Sequence, residues 1–203
     1  MSDADDEVSR RWLIRILVGI GIGIPILVEA TTFLGLLRER LFGGAVHDAD
    51  GLDPAAVRES KRNGGSVTDH DEGQRLDGDV LTLDVDVLIP AALEGAIDEE
   101  LAPEIAADVI VEGANGPVTD DADRLLTDTV IVPDILANAG GVIVSYLEWV
   151  QNAQEFSWPL ETVNAELERR IGKAFDQTID QYDQKELPDL RTAAYTLALE
   201  RTA

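Results

Sequence analysis

The chain contains no cysteine, and it has only two histidines and three lysines. Without cysteine there are no disulfides, no thiolate metal sites and no cysteine nucleophile. His47 and His70 lie in polar segments, neither with a second imidazole at ligand spacing, so a zinc site has little to build on. The three lysines (Lys61, Lys173, Lys185) and 13 arginines face 40 carboxylates, a formal charge of -24. A surface of that sign repels nucleic-acid phosphates and argues against a nucleic-acid partner. Acid-rich, lysine-poor surfaces suit a salt-rich cytoplasm, where charge keeps the protein soluble while salt screens its self-repulsion; an acidic mesophilic protein is the alternative.

What is present falls into two unlike parts. Residues 1–42 carry six acids and five arginines, a net of -1, so residues 43–203 hold the remaining -23. After an acidic head ending in Arg10 and Arg11, the run from Ile16 to Leu37 is apolar except for Glu29. As a helix it would extend about 33 Å, enough for a hydrocarbon core of roughly 30 Å. Arg10, Arg11 and Arg15 precede it and Arg38 and Arg40 follow. The expectation is a single membrane-spanning helix over about 16–37, hence a membrane-anchored protein, or a cytoplasmic one if the segment does not insert. A signal peptide would need a better cleavage site than EATTF. A buried core helix competes, because the uninterrupted part is only Ile16–Val28. A strand with a dinucleotide loop competes less well: Gly19 and Gly21 are followed by Ile24 where G-x-G-x-x-G needs its third glycine.

Composition turns soluble and acidic at Leu41–Ala45, which sets the domain boundaries at 1–42 and 43–203. Asp53 and Pro54 read as the opening of a helix through Arg62. Residues 66–79 read as a mobile loop or as short structure without a clear pattern. From Val85 to Trp149 the chain repeats a cadence: strands at 86–89, 108–111 and 130–132, each ending in Pro, Gly, Asn or Ala and each leading toward a helix. This is the pattern of a parallel sheet that meets ligands at the carboxyl ends of its strands. Thr119 reads as a helix N-cap, and a helix is predicted from Asn138 to about Phe156 with Val142, Ser145 and Trp149 on one face. Beyond Pro159, Val163, Leu167, Ile171, Phe175, Ile179 and Tyr182 form a helical stripe to about Asp183. A last helix starts at Pro188, with Leu190, Ala194, Leu197 and Leu199 apolar.

The segments DVLIPAALEGAI, VIVEGANGPVT and VPDILANAGGVIVSYLEWVQN resemble the cofactor-domain half of glutamate dehydrogenases, of the Glu/Leu/Phe/Val dehydrogenase family. GAVHDADGLD, GSVT and the terminal RTAAYTLALERTA fit the same family, so the resemblance runs from about residue 43 to Ala203. It implies an α/β fold: a partial Rossmann-type parallel sheet, lacking its first strand and glycine-rich loop, with C-terminal helices, preceded here by the hydrophobic helix. It also implies NAD or NADP as cofactor and glutamate as substrate. Pro90, Ala91 and Ala92 would lie beside the cofactor ribose, Asn115 and Asn138 near the nicotinamide, and Val142 and Ser145 against the substrate side chain. An amide offers donor and acceptor to a carboxamide or ribose hydroxyl, and glycines admit a ligand to the backbone. Read without the resemblance, both asparagines are turn caps and Ser145 a satisfied helical serine.

The family's catalytic lysine and aspartate belong to a substrate domain with no counterpart among these residues, and none of the three lysines sits in its glycine-rich context. No catalytic residue is therefore assigned. Loss of the phosphate cradle, about two charge-assisted hydrogen bonds at roughly 1.5–3 kcal/mol each, lowers cofactor affinity by on the order of 10² to 10⁴. The leading expectation is a truncated cofactor domain that is inactive alone. The alternatives are a membrane-anchored module that docks on an intact dehydrogenase, on itself or on another partner, and an enzyme completed in trans.

Overall fold

The computed structural model describes residues 45–48, 51–62, 70, 73–76 and 79–203. The membrane span predicted over about 16–37, and the domain 1–42 that holds it, lie outside these residues. Among the described residues no helix is long and apolar enough to cross a membrane. The chain divides into two compact units, one ending at Val130 and the other running Ile131–Ala203.

In the first unit, β1 (Ala45–His47) pairs antiparallel with β2 (Gln74–Leu76), Ala45 opposite Leu76 and His47 opposite Gln74. Strand β2 falls in the stretch that the sequence left as loop or short structure. Helix α1 (Pro54–Arg62) lies between them in sequence and begins where predicted, the Asp53 carboxylate accepting from Ala55 N–H at 2.9 Å. A second, three-stranded sheet has the order β3 (Val87–Leu88), β4 (Val109–Val111), β5 (Val130–Val132), with β3 and β4 parallel. The three strands are the predicted ones. The first two strands form a separate antiparallel pair, so the sheet is smaller than one continuous Rossmann-type layer.

Helices after the strands are shorter than the cadence implied. Between β3 and β4 there is only a 3-10 turn, Ala102–Glu104. Asp98 takes the N–H groups of Glu100 and Leu101, Pro103 follows in the first turn, where its missing donor is tolerated, and Ile105, in extended conformation, ends the turn. After β4, Thr119 caps as expected, accepting from Ala122 N–H at 3.2 Å, but α2 (Asp120–Asp123) is a single turn. Leu88, Ile97, Ile110 and Val111 are fully buried, as continuous Val/Ile runs are when both sheet faces are covered.

In the second unit, α3 (Asp134–Ala137), α4 (Gly140–Gln154) and α6 (Leu190–Thr202) all pack on α5 (Leu160–Gln184). The predicted stripe is the reason: Leu167, Ile171 and Phe175 are buried, joined by Thr178, whose hydroxyl donates to Ala174 C=O at 2.9 Å. Burying each large apolar side chain contributes about 1.5–3 kcal/mol. Asn138 does not begin the next helix, as the sequence suggested; it closes α3, and α4 starts at Gly140. Glu155, in the left-handed region at φ 53, stops α4 one residue before the expected Phe156. The final helix starts after Asp189, whose carboxylate accepts from Thr192 N–H at 2.6 Å. Leu190, Ala193 and Ala194 are buried in it, whereas Leu199, read as part of the apolar set, is exposed.

Candidate functional site

The carboxyl ends of β3 and β4 open into two loops that remain zipped together. Ala114 N–H donates to Pro90 C=O at 2.9 Å, Gly95 N–H to Gly116 C=O and Ile97 N–H to Pro117 C=O, each at 2.8 Å, and Thr119 N–H to Ile97 C=O at 3.0 Å. The parallel pairing thus continues beyond the strands, ending in a bridge between Ile97 and Val118. Gly113 makes the closest approach possible: a Cβ there would stand 2.9 Å from Ala91 Cβ and 3.3 Å from Ala91 Cα. Gly116 has φ 50, a conformation that costs an L side chain energy.

The structure therefore brings Pro90 and Ala91 against Gly113 and Ala114, with Ala92 and Asn115 as the exposed next residues of the two loops. Pro90 is buried and Ala91 half-buried. Asn115 is not without a partner in the fold. Sequence reasoning passed over Glu112, the first residue after β4, which is completely buried. A buried carboxylate persists only when it is paired or hydrogen-bonded, and Glu112 is not without a partner. Its position, an acid directly after three β-branched residues and before a glycine, was the only available signal.

The second unit holds the other three predicted residues. Asn138 is half-buried at the C-terminus of α3, and its backbone N–H donates to Asp134 C=O at 3.0 Å. Val142 is 75% exposed on the first turn of α4. Ser145 is exposed on the same face, as predicted, but its hydroxyl donates to Gly141 C=O at 3.0 Å. The proton is spent on the helix, so Ser145 presents lone pairs outward and must rotate before it can donate to a carboxylate. A Cβ on Gly141 would meet nothing within 4 Å, so packing within the fold does not require the glycine.

Tyr146 and Trp149 continue the face of α4, their ring centroids 6.0 Å apart. The Arg170 guanidinium lies 5.2 Å from the Tyr146 ring centre. Arg170 also donates to Glu166 at 2.6 Å, and Arg169 clasps both oxygens of the same carboxylate at 2.6 and 2.7 Å. These bonds, Arg169's foremost, lower the Glu166 carboxyl from 4.5 to about 2. Of the lysines, Lys173 is exposed on α5, and Lys185 pairs with Glu200.

Residues 42–203 match the family model described as Glutamate/Leucine/Phenylalanine/Valine dehydrogenase. The NADP-specific glutamate dehydrogenase A1 of Halobacterium salinarum is 54% identical over 162 residues, 78% of this chain and 39% of the relative. The NAD-specific glutamate dehydrogenase A of the same organism is 47% identical, over 79% of this chain and 37% of the relative. Among solved structures, the leucine-bound form of hetero-hexameric glutamate dehydrogenase from Thermus thermophilus superposes with a TM-score of 0.69 at 32% identity. It covers 84% of this chain and 42% of that one. The chain thus spans about two-fifths of the length of the relatives it matches.

Proposed function

This chain belongs to the Glutamate/Leucine/Phenylalanine/Valine dehydrogenase family, and on that premise we propose that it forms the nicotinamide-side wall of a glutamate-deaminating site and does not turn over glutamate by itself. Pro90, Ala91 and Ala92 line the ribose, Asn115 and Asn138 hold the nicotinamide end, and Val142 and Ser145 face the substrate side chain.

The observation that carries this reading is the pair of zipped loops at the carboxyl ends of parallel β3 and β4, with Gly113 pressed on Ala91. Ligands of open α/β sheets are met at such strand ends. Backbone held that rigidly fits a flat nucleoside, because it needs no reordering when the ligand arrives. The bound nicotinamide would accept the hydride in oxidative deamination of glutamate to 2-oxoglutarate and ammonia. The chain's own contribution is orientation. Deamination also needs a base for the amine proton and a cation for the substrate carboxylate, held in one geometry with the nicotinamide. Lys185 is committed to Glu200, and Lys173 projects from α5 into solvent.

Either nicotinamide cofactor suits the reading, since relatives named NADP-specific and NAD-specific are 54% and 47% identical to this chain. The remaining wall would come from a substrate half, which these residues do not include. The test is a glutamate-dependent reduction assay on the purified chain with NAD and with NADP, across a range of KCl concentrations. No reduction above background is expected; turnover would sink the proposal that the chain is incompetent alone.

A further inference from the structure

Among the described residues, Asn115 is the one asparagine that precedes a glycine. Asn138, Asn152 and Asn164 are each followed by alanine. The last two stand inside α4 and α5, where side chains lean back toward the helix N-terminus and away from the next main-chain nitrogen. Asn115 lies instead in the bend between β4 and α2, exposed to water. An asparagine in a bend turns its side chain toward the main chain that follows. Gly116 has no side chain to shield its nitrogen, and its φ of 50 is a conformation that glycine holds readily. The space above it is open: the nearest atom that a Cβ on Gly116 would meet is the Glu94 Cγ, at 3.8 Å, an ordinary contact.

We propose that Asn115 is a site of spontaneous covalent modification, where the side-chain amide becomes a carboxylate through a cyclic imide closed on Gly116. The Gly116 main-chain nitrogen, losing its proton to solvent base, bonds to the Asn115 side-chain carbonyl carbon. The bond from that carbon to the amide nitrogen breaks, and the nitrogen leaves as ammonia. One water then opens the five-membered imide at either carbonyl. Opening at one gives aspartate; opening at the other gives isoaspartate, in which the main chain runs through the former side chain. The sum is amide plus water to carboxylic acid plus ammonia, with nothing oxidised or reduced. Because the attacking nitrogen must give up its proton, the reaction quickens as the pH rises.

Either product alters the loop. Both add a negative charge to a chain already at -24. Isoaspartate also lengthens the main chain by one atom between two of the bonds that zip the loops, Ala114 N–H to Pro90 C=O at 2.9 Å and Gly95 N–H to Gly116 C=O at 2.8 Å. The modification needs no ligand and is independent of the proposed function. Its further consequence, that a donor and acceptor for the nicotinamide end becomes an acceptor only, rests on that reading. The nicotinamide wall then carries a clock that lowers cofactor affinity as the protein ages.

The test keeps the purified full chain in molar KCl at neutral and at mildly alkaline pH, in water enriched in heavy oxygen, and maps its peptides by mass spectrometry. The peptide holding Asn115 should gain the mass of one amide-to-acid conversion with one heavy oxygen, several-fold faster at the higher pH, and isoaspartyl methyltransferase should label it. Peptides holding Asn138, Asn152 and Asn164 should stay unchanged. Asn63, also followed by glycine, lies outside the described residues, and its peptide is scored apart. Asn115→Gln, which would have to close a six-membered ring, should stay unmodified at that position. An Asn115 left intact in the folded chain, over the time in which the same chain in urea converts, would overturn the proposal. Conversion without heavy oxygen, which marks the digestion rather than the protein, would overturn it equally. Titration of fresh and aged chains with NADH separates the two readings: affinity that falls in step with isoaspartate supports both, whereas conversion with unchanged binding upholds the modification and contradicts the place given to Asn115.

Discussion

Two glycines in the predicted ligand region make opposite demands on the fold. A methyl group on Gly113 would overlap Ala91 at 2.9 Å, so Gly113→Ala should cost about 1–3 kcal/mol in urea unfolding and loosen the zipped loops. Gly141 has open space above it, and an alanine there should stabilise α4 by roughly 0.5–1 kcal/mol. If the glycine serves a ligand, the same Gly141→Ala chain should bind NADH or NADPH more weakly while melting higher, which a thermal melt and a fluorescence titration separate. At this scale the sequence was legible where the chemistry is local. Asp53 and Thr119 cap helices as read, since a cap needs only its own backbone within three residues. The inward bond of Ser145 is likewise the satisfied helical serine that the residues alone suggest, whereas the burial of Glu112 was not legible, because which side of a strand is covered depends on residues distant in sequence.

Among the elements, α5 organises the second unit, and its stripe was readable because apolar residues recurring every 3.6 positions over many turns mark a helix with one buried face. Ile171→Ala at its centre should lower stability by about 2–5 kcal/mol, measured by denaturant melts. Its exposed side carries the Arg169–Glu166–Arg170 cluster. Glu166 has a folded-state pKa of about 2 against an ordinary 4.5, so the cluster contributes stability that is complete above pH 4.5 and lost as the pH falls through about 2. The difference in melting temperature between the native chain and Glu166→Gln should stay constant from neutrality to about pH 5, then close between pH 4.5 and 2. The shorter elements were read unevenly. The turn and short helical pieces read around Pro103 are there as the 3-10 turn Ala102–Glu104, whereas the helix expected to begin at Asn138 starts only at Gly140, because Asn138 closes the preceding turn, and such stops are set by individual residues rather than by period.

For the molecule as a whole, the charge of -24 predicts a protein that is least stable in dilute buffer. Molar KCl, which shortens the Debye length to about 3 Å, should raise the melting temperature, whereas equal osmotic strength of sucrose should not reproduce the charge-screening part. The three-stranded sheet and its loops were legible as multi-residue motifs in order, and family membership follows from residues 42–203. The separate β1–β2 pair was not legible, since two three-residue strands in a polar stretch leave almost no pattern. The central claim is that these residues form a nicotinamide-binding wall, and amide chemical-shift mapping of the isotope-labelled chain during titration with NAD or NADP tests it most directly. The account predicts saturable shifts at Ala91, Ala92, Gly113–Asn115 and Asn138–Val142, diminished in Asn115→Ala. Shifts elsewhere, or none at millimolar cofactor, would contradict it.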